Sequence, residues 1–199
     1  MESRKDRNRQ RILEAAAEAF WRQSFHSVNV NQICVRAQVN KATLYQHFSA
    51  KEVLAVAVID YQFDRQKAEV YEAAMAASPG PIDRLGGIYQ RVYQQHLNRY
   101  DRGEPCSGCP FVNLATEMAS ESPAIRDAVK SVFERFKAYY LLIARDAKVV
   151  GYATRDLDGD ATSSALVTIM NGAMVSAKTE NRPDAILESL NAAKLILRG

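Results

Sequence analysis

Apolar residues recur along this chain at the three- and four-residue spacing of amphipathic helices, with no run of β-branched alternation long enough for a strand. Ile12, Ala16, Ala19 and Phe20 share one face and predict a first helix over about residues 6–23. Residues 24–28 read as a loop. Asn29 is a suitable N-cap for a short helix, Val30–Ala37, with Ile33 and Ala37 on one side. Asn40 caps a second, Lys41–His47, with Leu44 inward and Phe48 closing its end. A long helix over 50–77, carrying Leu54, Val58, Tyr61 and Phe63, stops at Ser78-Pro79-Gly80-Pro81. Further helices are expected over 82–102, 110–120, Pro123–Val149, 157–179 and 183–197, with 151–155 as a loop. The pattern predicts an all-α chain of about nine helices without internal repeats.

Bulk composition changes little: 47% hydrophobic and 25% charged residues in 199 is an ordinary globular balance, long enough to bury a core. No stretch approaches the roughly 18 uninterrupted apolar residues of a membrane span. The polar, basic start lacks the apolar run of a secretory signal. A cytoplasmic protein with no membrane partner is expected. Three cysteines, an odd number, argue against a disulfide framework.

Charge placement matters more. Residues 1–51 hold nine Lys/Arg against four Asp/Glu, whereas the rest hold 17 against 19. Arg4, Lys5, Arg7, Arg9 and Arg11 crowd the start of the first helix, where the macrodipole disfavours cations. Their placement asks for a compensating anion, and phosphate is the obvious one.

Two short helices joined by a tight turn make a helix-turn-helix. Ile33, Ala37, Val39, Leu44 and Phe48 supply the apolar pin, leaving Lys41, Thr43, Tyr45, Gln46 and His47 around the exposed side. An amide suits base edges, and a cation and hydroxyls suit phosphates. Residues 25–54, FHSVNVNQICVRAQVNKATLYQHFSAKEVL, resemble the helix-turn-helix of the TetR family of repressors. Val30, Ile33, Ala37, Val39, Lys41, Thr43-Leu44-Tyr45, His47-Phe48 and Lys51-Glu52 carry the resemblance, which covers about residues 9–55.

The resemblance implies three DNA-binding helices in residues 1–50 and a larger helical effector and dimerisation domain in 51–199. It also implies a dimer on a near-palindromic double-stranded DNA operator, released by an inducer. By position, Lys41, Ala42, Thr43, Tyr45, Gln46 and His47 lie on the recognition helix, Asn31 reaches a base edge, and Asn29 and Lys51 contact phosphates. Ser24, Gln38 and Ala42 depart from glycines common in the family, and Cys34 from an alanine. Gln38 matters most, since glycine in the turn relieves strain at positive φ.

Cys106-Ser107-Gly108-Cys109 is a CxxC without the second ligand pair that structural zinc needs. Pro110 suits the first turn of a helix, placing Cys109 near its N-cap, where the dipole favours a thiolate. Gly108-Cys109-Pro110 with Asn113-Leu114-Ala115 and Glu117 resembles a TetR-like subgroup with a cysteine segment in the effector region. Two signals are therefore open: a thiol-reactive compound at Cys106 or Cys109, or a small molecule in a pocket. For the pocket, the candidates are Tyr61, Tyr89, Tyr93, His96, Phe111, Asn113, Glu117, Phe136, Tyr140 and Met174. The last two helices carry small residues, including Ala161, Ala165, Gly172, Ala173 and Ala177, and are expected to form a homodimer interface.

A regulator without enzymatic activity, cofactor or metal is the reading that uses most of these features. A cysteine-based redox enzyme rests only on the CxxC with His96, and no Ser/His/Asp grouping or phosphate-cradling glycine loop accompanies it. A signal-independent DNA-binding protein leaves the long helical remainder with little purpose beyond dimerisation.

Overall fold

A computed structural model describes residues 3–154 and 158–199, and all regular structure among them is helical. In chain order the helices are α1 Arg4–Arg22, α2 Val30–Ala37, α3 Lys41–His47, α4 Lys51–Gln66, α5 Ala73–Ala77, α6 Pro81–Tyr100, α7 Pro110–Met118, α8 Pro123–Val149, α9 Gly159–Glu180, α10 Ala185–Glu188 and α11 Leu190–Arg198. A π-helical segment, Lys67–Glu72, joins α4 to α5. Counting α4–α5 as one helix and α10–α11 as one gives the expected nine among the described residues.

The helices gather into two compact units, residues 1–64 with 110–132, and residues 65–109 with 133–199. In the first unit, α1 starts two residues earlier than its apolar pattern indicates. Ser3 and Asp6 form a reciprocal capping box, so an acid in the first turn offsets part of the cationic crowding. Ile12, Ala16, Phe20, Ile33, Ala37, Leu44, Phe48 and Leu54 fill the core of this unit. The unit also takes in α7, because the Glu117 carboxylate near its end is hydrogen-bonded to the loop before α2. The sequence patterns did not reveal that long-range tie.

In the second unit, α6 packs on α5, α10 and α11, and α9 packs on α10 and α11. The 50–77 helix is interrupted by the π-helical segment, a departure that periodicity cannot register because Val70 and Tyr71 still face inward. Tyr71 stacks on Phe136 at 4.6 Å between centroids and meets Tyr140 edge-on at 6.0 Å. α9 begins at Gly159 behind the Asp158 N-cap; residues 155–157, where the loop was expected to end and the helix to begin, lie outside the described residues. The loop before α7 is fixed to the end of α9: Cys106 N donates to Asn181 Oδ1 at 2.9 Å. Gly108 sits there at φ 70°, where an added Cβ would lie 3.2 Å from the Met174 carbonyl oxygen.

Candidate nucleic-acid interface

The exposed side of α3 is built from its buried side. Leu44 is fully buried and Phe48 nearly so, and these two residues fix the rotation of a seven-residue helix. That rotation leaves Lys41, Ala42, Tyr45 and Gln46 exposed and Thr43 and His47 half-buried. Asn40 Oδ1 accepts the Thr43 amide at 2.7 Å, so the start of α3 is capped from within.

The other expected contact residues sit around this helix. Asn29 is exposed, but its side chain is engaged as the α2 N-cap, accepting the Asn31 amide at 2.8 Å. Asn31 is exposed and lines a shallow cleft with Gln32, Val35 and Arg36. Lys51 is half-buried. Its ammonium lies 4.5 Å from the Phe25 ring centroid and donates to the His26 carbonyl at 3.5 Å. Burial pushes the Lys51 pKa down, and the nearby Glu117 carboxylate only partly opposes this.

The turn between α2 and α3 adopts the left-handed geometry that the family resemblance implied. Gln38 has φ 51° and ψ 46°, and its amide reaches back to Cys34 and Val35 carbonyls. Arg11 Nη2 donates to both the carbonyl and the Oε1 of this residue. Arg4, Arg7, Asn8 and Arg11 of α1 line a polar cleft with Gln38, Val39, Asn40 and Thr43. The cations at 4–11 were visible in the sequence; their convergence on the turn was not.

The residues expected at the effector site divide between the units. Tyr61, Phe111, Asn113 and Glu117 belong to the first, where Phe111 is buried and the Glu117 carboxylate accepts the Phe25 and His26 amides. Tyr89, Tyr93, His96, Cys106, Cys109, Phe136, Tyr140 and Met174 belong to the second, and all but the half-exposed Tyr93 are buried there. Burial pushes the Tyr89 phenol up to about 12 and the Tyr140 phenol well above its ordinary value, so both are neutral donors. The Tyr89 hydroxyl lies near Ser189 and the Tyr140 hydroxyl near Tyr71, yet neither reaches hydrogen-bond geometry among the described residues. His96 Nδ1 is 3.0 Å from the Val92 carbonyl oxygen, and burial lowers its pKa, leaving a neutral ring. Burial raises the Cys106 thiol. Tyr71, whose pKa burial also raises, and Tyr139, whose ring lies 5.1 Å from that of Tyr71, are aromatic members of this cluster that the sequence reading passed over.

Residues 12–58 match the family described as "Bacterial regulatory proteins, tetR family", and residues 81–193 match "Tetracyclin repressor-like, C-terminal domain". This chain belongs to the TetR family of transcriptional regulators. It is 28% identical over 178 residues to the transcriptional regulator AcuR of Cereibacter sphaeroides, covering 89% of this chain and 79% of that protein. It is 22% identical over 178 residues to the HTH-type transcriptional repressor DhaR of Mycobacterium sp. (strain GP1), covering 89% and 86%. The crystal structure of regulatory protein TetR from Rhodobacter sphaeroides has the same fold, with a TM-score of 0.83 at 25% identity over 94% of this chain and 97% of that one.

TetR-family regulators bind DNA operators and act as dimers. In this member, α2 and α3 are the helix-turn-helix, and the larger helical region follows it. No helix among the described residues is long and apolar enough to cross a membrane.

Proposed function

We propose that this TetR-family protein is a repressor that binds a palindromic operator as a homodimer and leaves it when a small molecule binds. Residues 1–50 carry the DNA-binding function, and 51–199 carry sensing and dimerisation. The observation that carries the reading is the pose of α3, with Leu44 buried and Lys41, Ala42, Tyr45 and Gln46 turned outward. Gln46 reads base edges, Lys41, Thr43, Tyr45 and His47 contact the backbone, and Asn31 adds a base-edge contact from α2. Asn29 and Lys51 approach phosphates, Lys51 after leaving the Phe25 ring.

The signal is read in the second unit. Tyr89 and Tyr140 offer two buried hydroxyl donors, and Tyr71 and Phe136 an aromatic wall, a composition suited to a small, mostly apolar molecule with a polar group. Tyr93, His96 and Met174, of the same unit, shape the surroundings. On Gly108 to Pro110, Asn113 to Ala115 and Glu117, the chain sits with the TetR-like subgroup that carries a cysteine segment. Burial of Cys106 and Cys109, at 5% and 3% exposure, favours the small molecule over a thiol-reactive compound. Occupancy then shifts the dimer between two spacings of its recognition helices, only one of which fits successive major grooves. α4 and α8 each run through both units and are the continuous elements for that coupling.

The dimer face is the outer side of α9, where Ala161, Thr168, Gly172 and Val175 are exposed at helical spacing. α11 adds exposed Leu195 and Ile196. The test is selection of genomic fragments by the purified protein, followed by gel shift with the Lys41→Ala/Gln46→Ala variant. Loss of the shift with an unchanged melting temperature is expected. An unchanged shift overturns the recognition-helix assignment.

A further inference from the structure

Two oddities of the sequence meet in one place. The first is the run of cations over residues 4–11, at a helix start that disfavours them. The second is a glutamine in a turn that takes φ 51°, a conformation that L side chains adopt at a cost and glycine does not. Arg11 Nη2 bonds the Gln38 carbonyl at 3.0 Å and the Gln38 Oε1 at 3.1 Å. One guanidinium thus holds the backbone and the side chain of the strained residue together. The same guanidinium lines a cleft of about 370 Å³ with Arg4, Arg7, Asn8, Asn40 and Thr43.

None of the residues lining the cleft is acidic. Three guanidinium groups on one helix face, opposed by an amide and a hydroxyl, suit a compact anion with several acceptor oxygens. Thr43 ties the cleft to the recognition helix itself. We propose that the cleft seats a backbone phosphate of duplex DNA and that Arg11 is a positioning residue. It grips the left-handed Gln38 and so fixes α3 at the angle at which the phosphate is met. The device replaces the glycine that the turn favours, and it couples the turn to occupancy of the cleft. The proposal rests on the DNA-binding reading and adds to it a site shared between α1 and the turn before α3.

Phosphate contacts are sequence-independent, so the probe is a random-sequence duplex and no operator is needed. Binding of the full-length protein is measured by fluorescence anisotropy from about 50 to about 200 mM salt, and log K is plotted against log salt concentration. Arg7→Gln is expected to remain folded at the assay temperature and to flatten the slope by about 0.9 per lost contact, hence about 1.8 for a dimer. Arg11→Ala is expected to melt earlier. Adding Gln38→Gly restores the melting temperature, because glycine tolerates the turn unaided, but leaves the slope flattened.

Wild-type slopes in both Arg7→Gln and the Arg11→Ala/Gln38→Gly variant overturn the phosphate seat. An Arg11→Ala melting temperature equal to wild type, or one that Gln38→Gly fails to restore, overturns the positioning role. Inorganic phosphate is compared with chloride at equal ionic strength in a thermal-shift assay. Protection of wild type but not of Arg7→Gln, with unchanged DNA slopes, assigns the cleft to free phosphate and overturns the DNA contact. Failure of the DNA-binding reading is distinguishable, since the wild-type protein itself then ignores the duplex at low salt.

Discussion

The carboxylate of Glu117 accepts the backbone amide of Phe25 at 2.6 Å and that of His26 at 2.9 Å. Those two amides belong to the loop between α1 and α2, one turn before the Asn29 cap of the helix-turn-helix. Glu117 lies at the end of α7, whose first residue follows Cys109. Around it, His26 pairs with Glu121 at 3.2 Å and the Ser122 hydroxyl hydrogen-bonds Glu52. The loop that orients α2 is therefore held by a helix some ninety residues away in sequence.

Glu117→Gln should loosen that hold. The amide keeps one acceptor but loses the charge, so a charge-assisted pair becomes an ordinary one, at a cost of about 1 kcal/mol for a partly exposed site. Burial alone would raise the Glu117 pKa, but hydrogen bonds from the amides of His26 and Phe25 and from Ser24 outweigh it and the net shift is downward. A carboxylate with a depressed folded pKa stabilises above its unfolded value, about 4.3, and loses that contribution as pH falls through the folded pKa. The wild-type advantage over Glu117→Gln, followed by thermal denaturation, should be full at neutral pH and shrink below about pH 4. A pH-independent difference would show that charge is irrelevant to the contact.

The recognition helix separates stability from affinity residue by residue. Leu44→Ala removes a fully buried side chain and should cost about 2–5 kcal/mol of stability. Gln46→Ala, at an exposed position, should leave stability within about 0.5 kcal/mol and weaken binding to a selected operator by about 1–3 kcal/mol. Urea denaturation and gel shift on the same preparations check both. Equal effects of the two variants on stability would mean that Gln46 does not face outward from α3.

These contrasts follow from what a sequence encodes locally. The Asn29 and Asn40 caps, the pin at Ile33, Ala37, Leu44 and Phe48, and the stop at Pro79-Gly80-Pro81 are short-range signals, and all were legible. The Glu117 contact and the Arg11 grip on Gln38 span 92 and 27 residues, and nothing in spacing or periodicity points to either. The π-helical segment was hidden for another reason: one extra residue in a turn leaves a buried Val70-Tyr71 pair that reads as ordinary helix. Glu117 was expected only as a pocket residue, and its hydrogen bonds to the Phe25 and His26 amides lay outside that reading.

Tyr140→Phe distinguishes a hydroxyl waiting for a ligand from one that supports the fold. Deleting a bonded buried hydroxyl destabilises by about 1–3 kcal/mol, whereas deleting an unbonded one is neutral or stabilising. Tyr140 is fully buried and its hydroxyl is unbonded among the described residues, so the variant should melt at or above the wild-type temperature. Tyr89→Phe should behave alike. A drop of several degrees in either variant would identify a structural partner and remove that residue from the ligand site.

The cysteines permit a kinetic test. Cys106 and Cys109 are buried, and burial raises the Cys106 thiol away from the reactive thiolate. Labelling by iodoacetamide at neutral pH should be slow in the folded protein and rapid in urea, for all three cysteines. Fast labelling of Cys109 in the folded protein, together with loss of DNA binding, would return the signal to a thiol-reactive compound.

The outer face of α9 decides how the chain assembles. Gly172 is exposed in the single chain, and an added Cβ would meet nothing within 4 Å. A side chain there is therefore free of penalty in a monomer and obstructive only where another helix comes close. Gly172→Arg should keep the helical content and melting onset of the monomer while shifting the light-scattering mass from two chains toward one. In a two-fold interface the residue meets its partner's face, so a single substitution acts twice. DNA affinity should fall with the dimer, because two recognition helices reach successive grooves only when they are joined. A Gly172→Arg protein that remains dimeric at micromolar concentration would move the interface off this face of α9.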